Sequence, residues 1–221
     1  MRILRLAMMM TLFVLAAASH TYGQYRAEYP HIGFEITPFG GSRFGGVIDL
    51  NPTPGNPFNY LTIKSTWDYG VMGDVDLGSN AQFEFMWNQQ PTELGAHNFN
   101  TGVITPAGDA TLDMYQWGVL VAPLGNHAKL SPFFVGSFGF THYHASAVSL
   151  GFGNGYSFTF GGGVKYFFAR HAGLRLDVRY SPSHTTSSPG LVCDPFGFCF
   201  AATIPNYAHQ GMANLGLILR F

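Results

Sequence analysis

Apolar side chains return at every second position in eight stretches of the chain, and turn-forming residues separate the stretches. Alternation of this kind marks strands with one apolar and one polar face. It predicts strands at 33–43, 66–75, 81–90, 111–121, 130–142, 155–168, 174–180 and 210–221. In the second, Trp67, Tyr69, Val71 and Val75 alternate with Asp68, Gly70, Met72 and Asp74. In the third, Phe83, Phe85 and Trp87 alternate with Gln82, Glu84, Met86 and Asn88. In the seventh, Leu174, Leu176, Val178 and Tyr180 alternate with Arg175, Asp177 and Arg179. The last sets Leu215, Leu217, Leu219 and Phe221 against Met212, Asn214, Gly216 and Arg220.

The same pattern fits a soluble barrel with an apolar inside or a membrane barrel with an apolar outside. Three features favour the second. Aromatic residues stand near strand ends on the apolar parity (Trp67, Trp87, Tyr115, Tyr156, Tyr180, Phe221), as an interfacial girdle would. The polar parity mixes charges with glycine, which suits a narrow lumen. Connections alternate between short ones near 77–80, 124–128 and 169–172 and long ones near 45–65, 91–110, 145–154 and 184–208, as periplasmic turns and external loops do. Strands of about ten residues, rising ~3.3 Å each and tilted ~45°, cover the ~25 Å apolar band of an outer membrane. The expected fold is therefore all-β: an eight-stranded antiparallel up-and-down transmembrane β-barrel.

Composition sharpens this picture. Beyond residue 23 no apolar run approaches the ~20 residues a membrane helix needs, which leaves a closed barrel as the way to pair every backbone group in lipid. At the N-terminus, Arg2 and Arg5 precede an apolar run from Leu6 to Ala18 and small residues suited to cleavage. That reads as a cleavable signal peptide at 1–23, followed by one domain at 24–221. No cysteine stands just after the run, which argues against a lipoprotein anchor. Without Arg2 and Arg5, 9 basic residues face 12 acidic ones, so nothing points to nucleic acid. Cys193 and Cys199 flank a short segment containing Gly and Pro, and in an exported chain they are expected to form a disulfide.

The signal sequence, the eight segments, Gly-Gly-Gly-Val-Lys at 161–165, Gly-Leu-Arg-Leu-Asp-Val-Arg-Tyr at 173–180 and the terminal Leu-Arg-Phe together resemble small bacterial outer-membrane β-barrel proteins of the OmpA-like and OmpW-like sort. The resemblance implies residence in the outer membrane in contact with its lipid. It also implies insertion by the outer-membrane assembly machinery, with the C-terminal strand and Phe221 as the assembly signal. A monomer is expected, without cofactor. The fold hosts anchors, adhesins, small pores and a few lipid-modifying enzymes, so it does not select an activity.

The inward parity predicts a lumen charge network of Glu35, Asp68, Asp74, Glu84, Lys165, Arg175, Asp177, Arg179 and Arg220. An eight-stranded barrel is just wide enough for side chains to fill it. Charges held there must pair, because an unpaired buried one is costly. The expectation is a largely closed, charge-paired lumen with a structural or loop-mediated binding role. A narrow channel for small or apolar solutes, which OmpW-like proteins release sideways, is the alternative. Catalysis is not expected: His144-Ala145-Ser146 has no acid following it until Asp177, and Ser181, Ser183 and His184 have none adjacent. His142 and His144 share a parity but lack a third metal ligand, and Gly161–Gly163 opens no helix that could make a phosphate loop.

Overall fold

The computed structural model describes residues 33–49, 58–145, 155–185, 189–193, 199–203 and 207–221. The expected signal peptide lies outside these residues. The strands are β1 (Phe34–Gly45), β2 (Val47–Asp49), β3 (Phe58–Ile63), β4 (Thr66–Asp76), β5 (Ala81–Asn98), β6 (Ile104–Val121), β7 (Leu130–Ala145), β8 (Gly155–Phe167), β9 (Ala172–Thr185), β10 (Pro189–Cys193), β11 (Cys199–Thr203) and β12 (Tyr207–Arg220).

Eight of them close on themselves in the order β1-β4-β5-β6-β7-β8-β9-β12, each antiparallel to both neighbours. These are the eight segments the alternation marks. The seam between first and last strands runs from Glu35 opposite Arg220 to Gly45 opposite Gln210. Short turns at 77–80, 122–129 and 168–171 gather at one end.

Two expected loops are sheet instead. The stretch at 91–110 forms the outer ends of β5 and β6, paired from Pro91 opposite Thr111 to His97 opposite Ile104. The stretch at 45–65 holds β2 and β3, with β3 pairing β5 beyond the end of β4. Gly45 and Gly46 have φ of 78° and 107°, a left-handed backbone that favours glycine, and they turn β1 into β2. Pro91 reads as a strand breaker in the sequence. It is tolerated because it lies where the neighbouring ladder changes over, β4 pairing as far as Gln89 and β3 resuming at Leu94. At ~3.3 Å per residue and ~45° tilt, 18-residue strands such as β5 and β6 rise about 40 Å, well past the ~25 Å band. The wall is therefore taller than the expected membrane band, and the excess lies at the end away from the short turns.

Outward positions carry a continuous apolar belt: Phe134, Phe138, Phe158, Phe160, Leu176, Val178, Leu215 and Leu217 are all exposed. Phe85, Trp117, Phe140 and Tyr156 touch in series across β5 to β8, with ring centroids 5.3 to 5.9 Å apart. Above the belt, on the long-loop side, the outward side chains turn polar. Gln89 Nε2 donates to Asp113 Oδ1 at 2.9 Å, and Tyr180 and His209 share a hydrogen bond of 2.6 Å. A one-residue slip would exchange the two faces, so this sorting shows the register is set by burial.

Candidate functional site

The inward face of the short-turn half gathers eight charged side chains, four acidic and four basic. β5 and β9 stand on opposite walls, four strands apart in the ring, and their long side chains meet across the axis. Arg179 donates from Nη1 to Glu84 Oε1 at 2.7 Å and from Nη2 to Oε2 at 3.1 Å, a two-pronged contact. Arg175 reaches the same carboxylate through Nη2. Asp177, between the two arginines on β9, accepts from Arg175 Nε at 3.1 Å and Arg179 Nη2 at 3.0 Å. Its other oxygen accepts from Asn214 Nδ2 at 3.0 Å.

Toward the short turns the network continues through Asp74 on β4. Its Oδ2 accepts from Arg175 Nη1 at 2.9 Å and Lys165 Nζ at 3.1 Å. Lys165, on the wall opposite β4, also donates to Glu35 Oε2 at 2.7 Å and Gln82 Oε1 at 2.6 Å, completing an ammonium's three donors. Arg220 closes the end, holding Glu35 through Nε at 2.9 Å and the Asn126 carbonyl through Nη2 at 2.7 Å. Apart from Arg220, whose side chain is 13% exposed, the charged side chains of this network are at most 2% exposed.

Apolar and absent side chains shape the space. Phe133 lies under the Arg175 guanidinium, 4.6 Å from its ring centroid. Phe167 does the same for Arg220 at 3.7 Å. Glycine at 161 and 163 makes room: a Cβ would stand 2.8 Å from Arg179 Cγ at the first and 2.8 Å from Asp177 Cβ at the second. These two glycines thus leave room on β8 for the charged side chains of β9.

Asp68 is buried in the lumen but makes no ion pair among the described residues; its Oδ2 accepts from Asn88 Nδ2 at 2.9 Å. Asn88 Oδ1 in turn accepts from Arg43 Nη2 at 3.0 Å. Arg43 is fully buried and also meets Met114 Sδ at 3.4 Å and Met212 Sδ at 3.2 Å. It is absent from the inward charges expected from the sequence, although the parity of Glu35 and Thr37 on β1 leads to it. With Arg43 counted, five acids face five bases. Asn88, Asn214, Gln82 and Phe133 are likewise absent from that set, because a list of charges passes over neutral hydrogen-bonding and stacking groups.

A methionine layer, Met72, Met86, Met114 and Met212 with Phe39, crosses the middle of the lumen. Beyond it, inside the projecting wall, Phe58, Leu61, Ile63, Leu94, Leu112 and Tyr143 form an apolar core with small alanines. Two surface depressions lie outside the lumen, one at the short turns and one on the outer wall beside Tyr156 and Phe158.

No family model and no curated relative matches the sequence. Solved structures match in fold. Outer membrane protein OprG from Pseudomonas aeruginosa superposes with a TM-score of 0.65 at 13% identity, over 86% of this chain and 96% of that one. Outer membrane protein AlkL gives 0.57 at 16% identity, over 91% and 96%. Neisserial surface protein A gives 0.51 at 9% identity, over 86% and 97%. The fold is that of the small bacterial outer-membrane barrels. The exposed belt of this barrel is a surface for lipid, and the bilayer that holds this fold in bacteria is the outer membrane.

The remaining candidates can be placed on this barrel. His142 and His144 lie on the outer wall of β7, with rings 6.5 Å apart, and no metal-binding cluster occurs among the described residues. The acid absent near His144 along the chain is supplied by the neighbouring strand: Asp113 Oδ2 lies 3.6 Å from His144 Nε2. Ser146 lies outside the described residues. Ser181 and Ser183 face the lumen, where Ser181 accepts from Thr159 at 3.1 Å. Cys193 and Cys199 are opposite each other in the β10–β11 ladder; their side chains lie outside the described set.

Proposed function

We propose that this barrel is a closed outer-membrane scaffold whose lumen is locked by ion pairs and whose projecting wall and external hairpins serve as a structural or binding surface. The observation that carries this is the pair of guanidinium groups on β9 converging on Glu84 of β5 across the full width of the barrel. A conducting pore would need that span clear of side chains. The apolar core above the methionine layer supports the same reading, because ions would have to cross a second, dehydrated barrier. Planar-bilayer recording of the refolded chain tests it. The expected result is no steady conductance, and stable unitary steps in the parent protein would establish a channel instead.

A lipid-modifying reading has one observation in its favour, the contact between His144 and Asp113 on the outer wall near the external membrane boundary. A carboxylate this near could orient the imidazole as a general base by closing the contact to hydrogen-bond distance. Loss of an acyl chain from lipid A incubated with the parent, abolished in His144→Ala, would support it; intact lipid A would remove it.

Within the external segment we propose that Cys193 and Cys199 are bonded. Directly opposed strand residues have Cα atoms about 4.5–5.5 Å apart, inside the ~4.4–6.8 Å range a disulfide spans.

A further inference from the structure

Most basic side chains of the described barrel are engaged. Arg43, Lys165, Arg175, Arg179 and Arg220 face the lumen, and Lys64 pairs with Glu93 at 3.0 Å on the projecting wall. Lys129 and Arg170 are different. Both are exposed, and neither makes an ion pair among the described residues. They belong to different turns, at 122–129 and 168–171, yet line one shallow depression at the short-turn end. The nearby carboxylates are already taken. Glu35 is held by Lys165 and Arg220, and Asp76 by Gln82, Asn126 and the His127 ring 3.5 Å away.

The depression runs from the mouth of the lumen, where His127 and Arg220 also line it, to the edge of the outer wall. Phe167, with the Arg220 guanidinium stacked on it, forms part of its lining. Phe168, also in the lining, is 54% exposed, and below it Leu130 and Tyr166 sit opposite each other on the lipid-facing side. Two unpaired cations thus share a depression with an exposed ring that continues into apolar wall. Short turns of outer-membrane barrels face the periplasm, so this is the level of the inner-leaflet headgroups.

We propose that the depression binds an anionic glycerophospholipid of the inner leaflet, its phosphate between Lys129 and Arg170 and its acyl chains against Phe168, Tyr166 and Leu130. A soluble anion would meet only solvent-screened charge here. A lipid adds burial of its chains on the aromatic wall, and long basic side chains at a membrane edge extend toward headgroups.

Native mass spectrometry of the refolded barrel tests this, titrating dioleoylphosphatidylglycerol or dioleoylphosphatidylcholine against the parent and Lys129→Gln/Arg170→Gln. The parent should retain phosphatidylglycerol and release phosphatidylcholine. The double variant should bind phosphatidylglycerol more weakly, on the order of 30-fold, from about 1 kcal/mol for each basic residue near an anionic surface. Equal retention by parent and variant, or equal retention of the two lipids by the parent, overturns the proposal. Full displacement by millimolar inorganic phosphate or an acidic peptide would make it a soluble-anion or protein site, and overturns it too. Heat-modifiable migration on gels checks that both proteins are folded. Neither residue touches the lumen pairs, so failure here leaves the closed-lumen reading standing.

Discussion

In the short-turn half of the lumen the buried side chains include Glu35, Asp74, Glu84, Lys165, Arg175, Asp177 and Arg179, beside a small apolar cluster around Phe133; in the outer half Phe58, Leu61, Ile63, Leu94 and Leu112 form the main cluster. The same closed wall surrounds both. The charged half is filled by directional contacts, in which each of these carboxylates is shared by two bases, so loss of a partner is expected to be costly. The apolar half is filled by volume, and tolerates exchange between side chains of similar size. Buried ion pairs add little stability over an apolar filling, yet removing one partner is severe because the survivor stays dry. The two halves therefore respond to different substitutions.

The largest expected effect is in the charged half. Glu84→Gln leaves the Arg175 and Arg179 contacts without their shared carboxylate and should destabilise by about 3–5 kcal/mol, measured by urea unfolding in lipid vesicles. Arg175→Met should be similarly severe alone, and the double variant should cost less than the sum of the two. Additive losses, or a cost under about 1 kcal/mol for Glu84→Gln, would mean that water reaches the pairs and that the contrast with the outer half is false.

In the outer half, Leu112→Ala should cost about 3 kcal/mol through lost burial and the cavity left behind, while Leu112→Met should cost under about 1.5 kcal/mol. If the methionine variant is as damaging as alanine, shape rather than volume governs the apolar half too.

Reducing the proposed Cys193–Cys199 bond should cost at most about 2–3 kcal/mol, as expected for closing so short a loop. Intact-mass measurement of protein isolated from the envelope without reductant should find no free thiols; two alkylatable cysteines would refute the bond.

The smallest effect is reserved for the exposed counterpart of the lumen pairs. Lys64 and Glu93 bond at 3.0 Å with side chains 62% and 57% exposed. Glu93→Gln should change stability by less than about 1 kcal/mol, and salt should erase even that. A loss as large as that at Glu84 would show that burial is not what separates the two kinds of pair.

Much of the barrel is legible in the chain itself. The alternation around Phe83, Glu84 and Phe85, or Leu174, Arg175 and Leu176, states which side chains share a face, because a strand has period two and the two faces meet different media. It therefore marks eight wall strands and the inward direction of Glu84, Lys165, Arg175 and Arg179. It fails at 91–110, where Pro91 and a mixed polar outer face look like a loop. There the tertiary pairing of β5 with β3 and β6 makes the strand continue.

What only the tertiary structure decided is who meets whom. Glu84 and Arg179 are 95 positions apart, Lys165 and Glu35 130 apart, and no local pattern joins them. Their meeting depends on the order of strands round the ring and on the register at each ladder, which put β5 opposite β9 and β4 opposite β8. The same closure turned Arg43 into the fifth base of the lumen, set Asp113 beside His144, and brought Lys129 and Arg170 from separate turns to one rim. Periodicity is a property of neighbouring residues and so is written in the chain; contact across a lumen is a property of the closed ring, and exists only once the last strand has found the first.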